Sequence, residues 1–292
     1  MEIRAFADSD RPAGTALLMS RQPHMQPHWV DDMFDSPSTV IEPNIVAVSD
    51  DGELAGWAAV VAREGLPTDL RFVGVTVRAD VEGAGLGSTL HRALMERLAE
   101  GVALLRGTVL DDDPRSLAVA EHWGYERFQY GITSRFDLVD LPDPDLSNGL
   151  GLESCPTVPY DDDEAVLAMF DVAQTNPERD AGLFVTPAML RDFSGKGTPV
   201  GRLAKIDGAP VGMIHGSVHG DQLHIHYACV HPDFRGRGVA LAMKQQLHLD
   251  AMQAGATQLL TTNEAANTAI RTLNARLGYE RLFGEYRLQR RL

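Results

Sequence analysis

Apolar residues along the chain recur first at every second position and then at every third or fourth, and the whole order appears twice. Ile45–Ser49 and Leu54–Val61 read as strands flanking Asp51-Gly52, a dipeptide that accepts the positive φ of a tight hairpin turn. Leu70–Val77 is a third apolar strand. Gly85–Ala99 carries leucines at 86, 90, 94 and 98, which is a helical stripe. Leu104–Val109 returns to strand spacing. Pro114–Trp123 reads as a helix with proline at its start and Gly124 just past its end, and Phe128–Leu138 as a closing strand or strand pair. The second half repeats the order: strands Arg202–Ile206 and Val211–Val218 around Asp207-Gly208, strand Leu223–Val230, helix Gly238–Ala254, strand Leu259–Thr262, helix Asn267–Leu277 and strand Glu280–Leu288. Antiparallel hairpins followed by β-α-β-α-β predict an α/β fold of the mixed-sheet (α+β) type, flanked by helices.

Residue identities support the repeat. Val75 to Gly87 and Ala228 to Ala240 both read as a strand, a polar turn and a small-residue loop opening a helix, and Gly85 and Gly238 stand 153 positions apart. Gly124-Tyr125-Glu126-Arg127 matches Gly278-Tyr279-Glu280-Arg281 at an offset of 154, and Gly56 matches Gly212 at 156. A period this long indicates duplicated domains rather than a solenoid. The proline- and glycine-bearing stretch Leu141–Gly149 lacks an apolar period, so the expected division is a first domain at 1–140, a linker at 141–149 and a second domain at 150–292.

Composition narrows the picture. Apolar residues make up 44% and charged residues 23%, which suits a folded globular protein. No apolar run is long enough to span a bilayer and the first residues have no signal-peptide core, so no membrane association is expected. Two cysteines, Cys155 and Cys229, cannot build a disulfide framework, and a cytoplasmic setting follows. The net charge of −15 disfavours nucleic acid and favours a cationic partner such as a protonated amine.

The candidate chemistry centres on Arg235-Gly236-Arg237-Gly238-Val239-Ala240, between an apolar strand and a helix. The first N–H groups of a helix have no internal partner, and with the helix dipole they form an anion site. Small residues at 236, 238 and 240 let a pyrophosphate approach the backbone, and two arginines add forked donors. The run fits neither a Rossmann loop nor a Walker loop. It resembles the pyrophosphate loop [QR]-x-x-G-x-[GA] of the GNAT N-acetyltransferase superfamily. His231-Pro232-Asp233-Phe234 resembles that family's lead-in, and Asn267 to Tyr279 its N-x-x-A-x-x-x-Y-x-x-x-G-[FY] segment. The paired arrangement is similar to mycothiol synthase-type tandem acetyltransferases.

The resemblance implies a tandem acetyl-CoA-dependent acyltransferase with no metal. Acetyl-CoA would lie where the fourth strand splays from the fifth. Backbone groups of Ala228, Cys229 and Val230 would hold the pantetheine and thioester carbonyl, and Asn267 would contact the cofactor. Direct attack by an amine needs a base, and His224 stands where several family members carry a catalytic glutamate, with His226 expected on the same strand face. The family's tyrosine acid is absent: Asn274 occupies its place, and Ala120 in the first copy. Tyr227, Tyr279 and Tyr286 are candidate substitutes. In the first copy Gly83, Gly85 and Gly87 keep the anion nest beside Val75 and Val77. There Glu82 replaces the loop's arginine, Arg71 the base and Asp113 the asparagine, so weak or structural cofactor binding without catalysis is expected.

Other clusters have plainer readings. His215, His219, His224, His226 and His231 lack the accompanying pattern of a metal site. Asp111–Asp113 and Asp161–Glu164 precede helices and are expected to cap them. By the resemblance, Trp29–Phe34 and Phe184–Phe193 fall where the family's variable helices cover the acceptor cleft, and core packing explains them equally. The sequence thus points to acetyl transfer to a primary amine of a small molecule or peptide, by a monomer or homodimer. The rival reading is an acetyl-CoA-binding or sensing protein.

Overall fold

The computed structural model describes residues 1–139, 141–146, 149–155 and 197–292. The expectations at Asp161–Glu164 and Phe184–Phe193 lie outside the described residues. The chain forms two compact units: Met1–Thr108 with Ala118–Glu126 and Leu288–Leu292, and Val109–Leu117 with Arg127–Arg287. These units are discontinuous in sequence and cross the linear halves drawn at 141–149.

The first unit contains β1 (Glu2–Ala5), α1 (Arg11–Arg21), α2 (Pro27–Asp35), β2 (Thr39–Val48), β3 (Leu54–Arg63), β4 (Leu70–Val77) and α3 (Leu86–Met95). It also holds most of β5 (Leu104–Leu110) and the end of α4 (Pro114–His122). The strands lie in the order β1-β2-β3-β4-β5, antiparallel until the parallel β4–β5 pair. Alternation along β2 and β3 sends Ile45, Ala47, Ala58 and Val60 onto Leu86, Leu90 and Leu94 of α3. The other face sends Val46, Trp57 and Ala59 onto Leu17 of α1 and Val30 of α2. The Trp29–Phe34 stretch therefore includes core: Phe34 stacks 5.2 Å from Phe6 and 5.8 Å from Trp57. α3 is shorter than the leucine stripe suggested, although Leu98 still packs on the same cluster.

The second unit follows the order β6 (Glu126–Asp137), β11 (Gln258–Glu264), β10 (Gln222–Val230), β9 (Ala209–His219), β8 (Thr198–Ile206) and β7 (Gly151–Ser154). β10 and β11 are parallel and the other pairs are antiparallel. The first half's closing strand, β6, is thus paired along its length to β11. Conversely, the tail of β12 (Glu280–Arg291) belongs to the first unit, where Leu292 N donates to Ala103 O at 3.0 Å. Helix α5 (Val239–Gln253) lays Val239, Ala242, Met243, Leu247 and Ala251 on Leu223, Ile225, Ile214 and Val218 of β10 and β9. Helix α6 (Thr268–Leu277) follows β11. Leu141, in the stretch read as a linker, packs against this core.

The acidic run Asp111–Asp113 divides its work. Asp113 Oδ1 accepts from Ser116 N at 2.9 Å, the expected cap. Asp111 does something else: it accepts from the Tyr130 hydroxyl at 2.5 Å and Gly284 N at 3.2 Å, and pairs with Arg281. The Tyr130 bond and those basic and backbone donors hold its carboxyl below the usual carboxylate range.

Candidate active site

Two irregularities in β10 build the site. Its parallel pairing with β11 runs only from Gln222–Gln258 to Ile225–Thr261, although both strands continue. Beyond Ile225 the two strands diverge, and the edge of β10 turned from β9 leaves the ladder. At the same place β10 bulges: Ile225 pairs with Gly216 and Tyr227 with His215, so His226 has no partner in the register. A bulge resets which face successive side chains take. Leu223 and Ile225 face α5, and past the bulge Ala228 and Val230 pack on that same core. Tyr227 and Cys229 consequently share the opposite face with His224. Simple alternation from His224 would have put Ala228 and Val230 there.

On that face the histidines meet. The Nδ1 atoms of His224 and His226 are 3.3 Å apart, one ring donating to the other, and His226 Nε2 lies 2.7 Å from Ser217 Oγ. His219 Nε2 is 3.0 Å from the same hydroxyl, and the His215 ring centre is 6.3 Å from that of His226. The sequence-predicted pair is therefore brought together, with Ser217 as an unforeseen third member. His231 lies apart, accepting from Asp233 N at 3.3 Å. No group of three histidine, cysteine, aspartate or glutamate residues among the described residues has metal-binding geometry. Burial raises the Cys229 thiol to about 11, and it pushes the Tyr227 hydroxyl upward as well, reinforced by Cys229.

The glycine loop is exposed and shaped as its residues require. Gly236 and Gly238 have φ of 74° and 82°, a region L side chains rarely adopt, and no atom lies within 4 Å of where a Cβ would stand on either. Gly238 caps α5, so the helix's first N–H groups open toward that clear space. Arg235 Nε donates to Val230 O at 3.0 Å and Arg237 lies 5.1 Å from the Phe234 ring centre, which places both guanidiniums at the loop. Val239 is core, whereas Ala240 is half-buried at the mouth. Asn267 caps α6 through Oδ1, accepting from Ile270 N at 3.3 Å. A diphosphate fits a cradle of this form: open glycines, a helix start and two arginines.

Asn274, in the place of the resemblance's tyrosine, is buried. Its Oδ1 accepts from Lys244 Nζ at 2.7 Å and its Nδ2 donates to Asn263 Oδ1 at 2.8 Å. Lys244 was missed by sequence reasoning because a lysine in a helix reads as surface. The available signal was spacing: 244 lies three before Leu247 and seven before Ala251, on the buried stripe. Two of the candidate tyrosines make contacts of their own away from the histidine face. Tyr279 is buried with its hydroxyl 2.7 Å from His248 Nε2, and Tyr286 lies under the Arg127 guanidinium at 4.7 Å.

The first copy keeps the scaffold and lacks these features. β4 pairs with β5 only from Leu70–Leu104 to Phe72–Arg106, so it too diverges along Val75 and Val77, whose side chains pack on the α3 core. Its pairing with β3 runs from Gly56–Val77 to Val61–Phe72 with no shift. Gly83 and Gly85 have φ of 80° and 84°, like their counterparts, while Gly87 sits within ordinary contact of Val77 and Trp123. Glu82 is ion-paired with Arg21 of α1, and Arg71 donates to the carbonyls of Thr68 and Leu70.

A doubled glycine-loop sheet with diverging parallel strands is the mark of an acyltransferase fold. The chain belongs to the acetyltransferase (GNAT) family, whose model matches residues 7–125 and 164–279. Among solved structures it is similar to a GCN5-related N-acetyltransferase from Sphaerobacter thermophilus, at 20% identity and a TM-score of 0.77, over 99% of this chain and 95% of that one. It is also similar to a tandem GNAT protein from the clavulanic acid biosynthesis pathway, at 20% identity and a TM-score of 0.75, over 99% and 98%. At such identities the likeness shows the fold, which is two tandem GNAT domains of mixed α/β type.

Proposed function

We propose that the chain moves an acetyl group from acetyl-CoA to a primary amine of a small molecule or peptide, and that residues 150–292 carry the reaction. The bulge at His226 supports this reading above any other observation. It sets the histidine pair beside the point where β10 leaves β11, and the regular β4 of the first copy has no equivalent. The cofactor's diphosphate would sit on the Arg235–Ala240 loop, and its pantetheine along Ala228, Cys229 and Val230. In this reading His224 takes the amine proton and His226, held by Ser217, orients it. Residues 1–140 would bind the cofactor weakly or not at all, because the Glu82–Arg21 pair puts a carboxylate where the second copy has Arg235. The acidic chain suits a cationic acceptor, a monomer or homodimer working in the cytoplasm without nucleic acid or membrane. Among the described residues no helix is long and apolar enough to cross a membrane.

The test is release of free coenzyme A thiol when the full chain is mixed with acetyl-CoA and a library of primary amines. Turnover with at least one amine, lowered by Gly238→Val at limiting acetyl-CoA, is expected. Tight acetyl-CoA binding with no thiol release for any amine would leave the rival reading, a binding protein, in its place.

A further inference from the structure

Lys244 points from the second turn of α5 into the interior and is fully buried. Its one hydrogen bond among the described residues goes to Asn274 Oδ1, and its Nζ lies 4.6 Å from the centre of the Tyr279 ring. Asn274 reaches on to Asn263, two residues past Thr261, the last β11 residue paired to β10. A line of polar side chains therefore runs from the buried face of α5 through α6 to the diverging part of the sheet.

Charge around Lys244 is sparse. His248, one turn along α5, and the Tyr279 hydroxyl bond to each other. Asn274 from α6 and Asn263 from β11 are neutral, and Glu264, next on β11, is paired with Arg287. No carboxylate contacts Lys244 among the described residues. An ammonium has three donors, and among the described residues only one is used. Burial draws its pKa down to about 7. A buried cation without a counter-charge costs stability and is a recurrent feature of sites that use it. The first copy lacks the line: His91 takes the place of Lys244, stacked 4.3 Å from Trp123, with Ala120 for Asn274 and Val109 for Asn263.

We propose that Lys244, oriented by Asn274 and Asn263, gives the proton that the coenzyme A sulfur takes up as the thioester breaks. This rests on the acetyl-CoA reading above. When the amine nitrogen bonds to the acyl carbon, the C–S bond breaks and its electron pair goes to sulfur. The Lys244 ammonium passes one proton to that sulfur, leaving a neutral thiol and a neutral lysine amine. The amine's own proton leaves through the histidine face, and Lys244 recovers its proton from water.

The test uses the full chain with coenzyme A in its free-thiol form and follows thiolate absorbance against pH. In the wild type the bound thiol should ionise about one pH unit or more below its position in Lys244→Met, a roughly tenfold change in its ionisation constant. Acetyl-CoA affinity should change by less than about threefold while kcat falls by about tenfold or more. Should Lys244→Met fail to fold, the wild type decides alone: the Lys244 side-chain NMR signal should titrate at higher pH with coenzyme A than with an analogue lacking sulfur. The same ionisation in both proteins, or the same lysine titration with both ligands, overturns the role of Lys244 and leaves the acetyl-CoA reading intact. Failure of coenzyme A to bind the wild type overturns both.

Discussion

Replacing Lys244 by methionine should stabilise the protein in mild acid and destabilise it in alkali. In the folded chain burial holds this lysine at about 7, and unfolding returns it to about 10.4. Below the lower value both states are protonated and the folded state bears the full cost of the buried charge. Between the two values the unfolded chain binds a proton that the folded chain does not, so wild-type stability rises with pH through that window. The displacement is about three units, or an upper limit of about 4–5 kcal/mol at roughly 1.4 kcal/mol per unit. Methionine removes that cost, yet leaves Asn274 Oδ1 without its donor, a loss of about 1–3 kcal/mol. The variant should therefore gain about 1–3 kcal/mol near pH 6 and lose a similar amount near pH 10. Urea unfolding of both proteins at the two pH values, followed by circular dichroism, measures the difference, and groups common to both cancel. A difference independent of pH would refute the reasoning, as would a variant less stable near pH 6.

Three further outcomes follow. Gly216→Ala places a Cβ 2.5 Å from the His224 carbonyl oxygen, so it should lower stability by about 1–3 kcal/mol in urea titration. It should also lower thiol release by moving the histidine pair. His224→Ala should remove the acid limb of the kcat/KM profile and reduce the rate by roughly 100-fold, while His226→Ala shifts that limb without removing it; an unchanged profile in both variants would end the assignment. Gly238→Val should weaken acetyl-CoA binding of the full chain by about tenfold or more because valine resists a φ of 82° and crowds the loop. Gly85→Val should leave that affinity within about threefold, and calorimetric titration separates the two.

Much of this architecture was legible from residue order. Hairpins at Asp51-Gly52 and Asp207-Gly208, the helices after Gly85 and Gly238, and the parallel strands after them all formed where periodicity put them. Those features depend on local patterns. The bulge at His226 does not: the stretch Leu223–Val230 alternates normally, and only the pairing with β9 reveals the extra residue. Partner choice is equally silent in sequence, since β6 and β12 carry similar patterns and either suits an antiparallel neighbour of β11. β1 and β7, four residues each, were too short to register as strands. The glycine loop was found because its chemistry needs particular residue types in consecutive positions. The Lys244–Asn274–Asn263 line was not, because its members come from three elements and meet only on folding.

The membership of Leu288–Leu292 in the first compact unit has a consequence for biosynthesis. Ribosomes deliver the amino-terminal part first, and domains ordinarily settle as they emerge. Here the early-made portion must wait, with the edge beside Ala103 uncovered, until Leu288–Leu292 have been made. Nascent chains stalled just short of Leu288 should consequently be more open to proteases and more prone to clump than released ones.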